Sequence, residues 1–373
     1  MKTITTQIKK EEEISLKDQM KKFLIKGFYG FNTIISCGLG KQLGIFDYLD
    51  EKAKKLSESS SINSISFTPE ELTEELNLDA DYLDAWIHLA LECGIFEINN
   101  AELKILKTAP HVYDLLINRN HMFYVGDTVS LYYYFAPFQA IVIDSFKTGK
   151  SVNIDEIPED FVMDGHRMSA RFGVLLEGLF SKSFKDFCRI LRKQGKILEV
   201  GCGYGFNLKK WAEKYKRAQF VGIDIDSRAT AFAKNLIEQQ NWNDRIEVFD
   251  ISINEYAKKS KDKYDLILLN QVLHEMDHDE EYRRSVFKDL YSLLKDDGFL
   301  LVGESMIPDT FSSQKEFQLF NIMHKFLEVK FAKFYNEKSF KEFIESTPFK
   351  QAEFVKERGT SFWAIKKEKG SLN

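Results

Sequence analysis

Four cysteines in 373 residues are too few and too scattered to organise this chain. Cys37, Cys93, Cys188 and Cys202 form no CxxC pair, so neither a zinc site nor a disulfide framework is signalled. Reduced thiols in a cytoplasmic protein are expected. Excess positive charge is also missing. The formal charge is −5, which lacks the basic footprint of a nucleic-acid binder. No run of about 18 uncharged apolar residues occurs. The nearest, residues 128–143, is interrupted by Pro137 and Gln139, so no membrane span is expected. The stretch Lys9-Lys10-Glu11-Glu12-Glu13 is too charged for a secretory leader. There is no internal repeat.

What is present is a globular composition, 44% hydrophobic, in a chain too long for one typical core. The patterning divides it into a polar arm over 1–17, a mainly helical domain over 18–120, a helical linker and acceptor-pocket region over 121–195, and an α/β domain over 196–373. From Asp18 to Leu49, Phe23, Leu24, Phe28, Phe31, Ile34, Ile35 and Leu39 recur at helical spacing and mark a buried face. Thr68-Pro69-Glu70-Glu71 is a helix start, Asp79 caps the next helix, and Gly94 stops it. Residues 95–98 and 103–106 then read as a hairpin around Asn99-Asn100. Helix, turn, helix, hairpin is a winged-helix pattern. The aromatic segment Phe123–Phe146, with Tyr132-Tyr133-Tyr134-Phe135, reads as a core helix divided at Pro137, buried within the chain, against a second subunit or against a substrate.

From Lys196 short apolar runs alternate with amphipathic helices, which predicts a doubly wound, mainly parallel sheet. Its sharpest signal is Ile197-Leu-Glu199-Val-Gly201-Cys202-Gly203-Tyr204-Gly205: a strand, three glycines and a helix start near Asn207. Glycine lets the backbone bend and approach a ligand closely. A nicotinamide enzyme wants GxGxxG, but Phe206 stands at the last position, where a large side chain obstructs helix–strand packing. S-adenosylmethionine needs only GxGxG and an acid, here Glu199, to face its cationic methionyl portion. Asp224 ends the second strand and suits ribose hydroxyls, with Ile225 beside it. Asp250 ends the third and suits an adenine amino group, with Ile251 placed to pack on the ring. Asp226 reads as a helix cap.

His274 follows the fourth strand, and Glu304 ends the fifth on the same sheet edge. A histidine with a carboxylate nearby suits deprotonation of a phenol or hydroxyl; the alternative is a strand-end histidine bonded to backbone. His166 could enter the pocket but reads rather as structural, and His278 reads as solvated.

This pattern resembles the class I S-adenosylmethionine-dependent methyltransferases over residues 196–367. More narrowly it resembles the small-molecule O-methyltransferases of the caffeic acid and flavonoid type and their bacterial relatives, which carry an N-terminal winged-helix dimerisation domain. The resemblance implies His274 as general base, Glu304 as one of two flanking carboxylates, and Asp224 and Asp250 as ribose and adenine contacts. It places Asn270 at a cofactor contact, and Met163, Met168 and Phe172 on a helix that cradles the acceptor. Glu275 and Met276 depart from the family's Asp-Trp. The second flanking carboxylate has no assigned position; Glu328 falls nearby, out of register.

The rival class is a noncatalytic regulator that reads DNA through the winged helix. Residues 69–97 hold nine acids and no Lys or Arg, and Asp79, Asp81, Asp84 and Glu92 fall in or at the start of the presumed recognition helix, where they repel phosphates. The expectation is therefore a homodimer that methylates a small molecule by in-line displacement, without nucleic-acid or membrane partners, the apolar Phe23–Leu39 and Tyr132–Phe138 faces supplying interface. An S-adenosylmethionine-binding enzyme of different chemistry on the same scaffold is the alternative.

Overall fold

The computed structural model describes residues 15–56, 64–121, 123–135, 139–151, 159, 161–170, 185–311, 322–323, 325, 328, 330, 332–350, 352–357 and 360–367. The chain forms two compact units, one through Ala136 and one from Pro137.

In the first unit the expected long N-terminal helix divides at Gly44, which adopts φ +74°, so that Gly27–Gln42 and Ile45–Leu56 are separate helices. The helix Pro69–Leu76 opens with a full capping box. Thr68 Oγ1 accepts from the Glu71 N–H, and Glu71 Oε2 accepts from the Thr68 N–H. Asp79 caps Ala80–Glu92 through the N–H groups of Asp81 and Tyr82. Strands β1 (Ser66–Phe67), β2 (Phe96–Asn100) and β3 (Ile105–Thr108) pair antiparallel in the order β1-β3-β2. Ile45, Leu49, Phe67, Leu72, Trp86 and Phe96 build the core beneath them. The helix Gly126–Phe135 belongs to this unit and packs on Gly27–Gln42 so closely that a side chain at Gly38 would collide with the Tyr133 ring. Pro137 lies outside the described residues.

The buried face expected from Phe23 onward is only half realised. Burial begins at Ser36, whereas Phe23, Phe28 and Phe31 are 66%, 63% and 56% exposed. Among the described residues nothing covers them.

The second unit holds a seven-stranded sheet. Its strands are β4 (Lys196–Val200), β5 (Gln219–Asp224), β6 (Ile246–Asp250), β7 (Tyr264–Asn270), β8 (Leu294–Glu304), β9 (Ala352–Glu357) and β10 (Thr360–Ile365). The order is β6-β5-β4-β7-β8-β10-β9, parallel through β8 and closed by the antiparallel hairpin β9–β10. Helices cover both faces, so the central strands are apolar without alternation. Ile197, Leu266 and Leu268 enter one core, and Leu198, Ile267 and Leu269 the other. Strand order reverses between β4 and β7. Open α/β sheets bind ligands at the carboxyl ends of the strands beside such a switch. Among the described residues no helix is long and apolar enough to cross a membrane.

Candidate active site

The turn after β4 sits at that switch. Gly201, Gly203 and Gly205 adopt φ values of +72°, +49° and +73°, which side-chain-bearing residues rarely reach. A Cβ on Gly201 would collide with Val272, and one on Gly203 would lie 2.5 Å from His166 Nδ1. The turn is pinned from β5: the N–H groups of Gly201 and Cys202 donate to the Ile223 carbonyl, and that of Gly203 to Asp224 Oδ2 at 2.7 Å. Asp224 thus shapes the glycine turn as well as ending its strand. Asp226 caps the helix Ser227–Gln239. Phe206 is absorbed into an aromatic cluster with Tyr204 and Phe232.

Glu199 is buried, and Asn207 of the helix Phe206–Lys214 donates to its Oε1 at 3.1 Å. Its Oε2 has no hydrogen-bond partner among the described residues. Burial raises its pKa, the Asn207 bond opposes that, and nearby Asp224 adds to the rise, giving about 8. A buried, partly unsatisfied carboxyl beside the glycine turn fits a cofactor carrying a positive charge. Asp250 is the register partner of Asp224 at the exposed ends of β6 and β5. Ile251 is half-buried, and Ile225 is 78% exposed. Asn270 ends β7, and its Nδ2 donates to the Ser169 carbonyl at 3.0 Å.

Gln271 turns the chain out of β7 with φ +55°, held by its N–H to the Gly303 carbonyl and by Ser305 Oγ donating to its side-chain oxygen. A short 3-10 turn, Leu273–Glu275, follows and places His274 at 1% exposure. Its Nδ1 lies 2.8 Å from Glu304 Oε1, and its backbone N–H donates to Glu304 Oε2 at 3.1 Å. Its Nε2 lies 3.3 Å from Glu328 Oε2 and 3.8 Å from Glu275 Oε1. Phe334 stacks on the imidazole with centroids 5.0 Å apart. Burial pulls the His274 pKa down, but the Glu304 contact and the Glu328 and Glu275 charges outweigh it and push it up to about 9. Burial likewise opposes ionisation of Glu304, and the imidazole and two N–H groups hold its pKa below the ordinary value. His274, Glu275 and Glu328 also offer ligand-type atoms within 4.8 Å of one another, an arrangement able to hold a cation.

Glu328, which falls nearby in the sequence but out of register, comes within 3.3 Å of His274 Nε2. Only the fold brings it to His274; a motif register did not.

Met163 and Met168 are half-buried on the helical segment 161–170. Phe172, expected beside them, lies outside the described residues. The same segment carries His166 onto Gly203 and edge-on to Tyr204, so His166 lines the glycine turn. Burial lowers its pKa, against the raising effect of Asp224 and Asp226.

Residues 198–300 match the profile of the family described as a methyltransferase domain. Among curated relatives, the tRNA1(Val) (adenine(37)-N6)-methyltransferase of Flavobacterium psychrophilum is 30% identical over 74 residues, 20% of this chain and 32% of that protein. The chain thus spans about a third of that relative's length. Solved structures cover far more. Mitomycin 7-O-methyltransferase MmcR superposes with a TM-score of 0.61 at 13% identity over 94% of this chain and 99% of that one. Human N-acetylserotonin methyltransferase, in complex with S-adenosylmethionine, gives 0.63 at 13% over 96% and 99%. At such identities the likeness is one of fold. Residues 198–300 thus match a methyltransferase domain, within a chain whose fold is like that of solved methyltransferases. The likeness of fold covers 94% and 96% of this chain and so extends over both of its units.

Proposed function

We propose that this protein methylates a hydroxyl group of a small molecule, with His274 as the general base. The observation that carries the reading is the buried pair of His274 and Glu304 on the sheet edge that also holds the glycine turn. Glu304 fixes the tautomer by accepting the hydrogen bond of Nδ1–H, which leaves Nε2 as the atom that receives a proton from the acceptor. The imidazolium so formed lies between the Glu304 and Glu328 carboxylates, which stabilise it. When bound, the cofactor supplies an electrophilic methyl group. The glycine turn, Glu199, Asp224, Ile225, Asp250, Ile251 and Asn270 would hold it, and Met163 and Met168 would line the acceptor side. Holding acceptor and methyl group in line accounts for most of the rate, and the base for about 10²–10⁴-fold.

The likeness to a tRNA methyltransferase favours a second reading, an RNA acceptor. The acidic surface of residues 69–97 argues for the small molecule. We further read the exposed apolar helix of the first unit as the interface of a homodimer.

The test is formation of S-adenosylhomocysteine from S-adenosylmethionine with a panel of phenols and hydroxylated heteroaromatics, in parallel with bulk tRNA, with and without EDTA. Turnover with phenols that EDTA leaves unchanged supports the reading. Turnover with tRNA alone sinks it, and loss in EDTA recasts His274, Glu275 and Glu328 as metal ligands.

A further inference from the structure

Among the described residues the largest fully buried side chain is a cation. Arg283, in the first turn of the helix Glu280–Leu293, is 0% exposed, and no carboxylate pairs with it among the described residues. Its hydrogen bonds go to the turn that carries His274. Nε donates to the Asp277 carbonyl at 2.7 Å and Nη2 to the Met276 carbonyl at 2.7 Å, while the His274 carbonyl lies 3.5 Å from Nη2. The guanidinium also faces the Tyr335 ring at 5.4 Å. Burying a charge without a counter-ion is unfavourable by several kcal/mol unless polar groups surround it. Packing alone would be served as well by a methionine or a leucine. A planar fork that reads successive carbonyls does something an apolar side chain cannot: it fixes the path of residues 274–277.

That path matters because it carries the backbone from which the His274 ring reaches Glu304. The His274 N–H goes to Glu304, its carbonyl accepts from the Lys333 N–H at 2.8 Å, and the residues after it have no strand or long helix to constrain them.

We propose that Arg283 is the positioning residue of the His274 turn: by holding the carbonyls of residues 274, 276 and 277 it keeps the imidazole on Glu304 with Nε2 turned to the acceptor. This rests on the reading of His274 as the base, but its geometry can be tested apart from turnover.

The experiment uses the full chain labelled with ¹⁵N-histidine, with the His274 signal assigned by its loss in His274→Gln. In the wild type the Nδ1 proton shared with Glu304, on a pair only 1% exposed, is expected to exchange slowly with water. Arg283→Met keeps the bulk and removes the donors, and is expected to speed that exchange at least tenfold while S-adenosylmethionine affinity stays within twofold. Arg283→Lys keeps a charged donor but not the planar fork, and should fall between. Wild-type exchange in folded Arg283→Met overturns the proposal. If Arg283→Met does not fold, Arg283→Lys decides by the same signal. Failure of both to fold would make Arg283 a determinant of folding, which also overturns it. Faster exchange in Arg283→Met alongside normal turnover in His274→Ala would remove the base reading and leave the positioning role standing.

Discussion

Glu304 holds His274 with both of its carboxylate oxygens, one on the ring Nδ1 at 2.8 Å and one on the backbone N–H at 3.1 Å. A single carboxylate therefore sets the tautomer, the ring orientation and the local backbone at once. Both residues are 1% exposed, so this contact acts in a medium where a charge-assisted bond is strong and a broken one is costly.

Removing either partner should expose that coupling. His274→Ala and Glu304→Gln are each expected to lower turnover by about 10²–10⁴-fold, and the double variant should be little worse than either alone because the pair acts as a unit. Affinity for S-adenosylmethionine, measured calorimetrically, should stay within twofold. Additive losses in the double variant would show two independent roles.

The pH dependence follows from the raised pKa. A base must be neutral to act, and His274 reaches that state only as pH rises through about 9. Turnover per free enzyme and substrate should therefore climb from pH 7 toward 9. Glu328→Gln removes one stabilising charge, lowers the pKa and should move the rising limb toward acid. A limb that stays in place would take Glu328 out of the site.

How much of this was readable beforehand depends on the range of the interaction. The capping box at Thr68 and Glu71, the cap at Asp226 and the strand–glycine–helix run from Ile197 are local, and each occurs where its residues predict. Glu328 falls near the site in the sequence, but only the fold brings it onto His274 across a large separation in sequence. Arg283 looks like one more charge on an amphipathic helix until its burial is known. The periodicity from Phe23 to Leu39 correctly marks an apolar face, but a face buried in a core and one left open for a partner have the same period.

Glu199 gives a prediction about protons. Its pKa of about 8 means that the carboxyl is largely protonated at pH 7 before any ligand arrives. A positively charged ligand group beside it favours the anion, so binding should release close to one proton near neutral pH. Titrations of S-adenosylmethionine in buffers of different ionisation enthalpy measure that number directly, and Glu199→Gln should abolish it. Release that is unchanged in Glu199→Gln would place the proton elsewhere.

Gly203 tests whether the turn must be bare. Alanine there is strained at φ +49°, and its Cβ meets His166 at 2.5 Å. Gly203→Ala should cost about 1–3 kcal/mol of stability and weaken S-adenosylmethionine binding at least tenfold. Pairing it with His166→Ala relieves the clash but not the backbone strain, so binding should recover only in part. Full recovery would mean that His166, not the backbone, limits the turn.

The exposed aromatics of the N-terminal helix carry the last prediction. Phe23, Phe28 and Phe31 stand 66%, 63% and 56% exposed on one short stretch, with Tyr29 at 55% among them. Monomeric proteins rarely leave such a patch open, and covering each phenylalanine contributes roughly 1.5–3 kcal/mol. A second copy presenting the same patch across a two-fold axis satisfies both sides at once. Sedimentation at micromolar concentration should therefore find a dimer. The pair Phe28→Asp and Phe31→Asp should weaken it by about 100-fold, or about 3 kcal/mol, while S-adenosylmethionine affinity remains intact. A wild-type monomer under those conditions would leave the patch to a different partner.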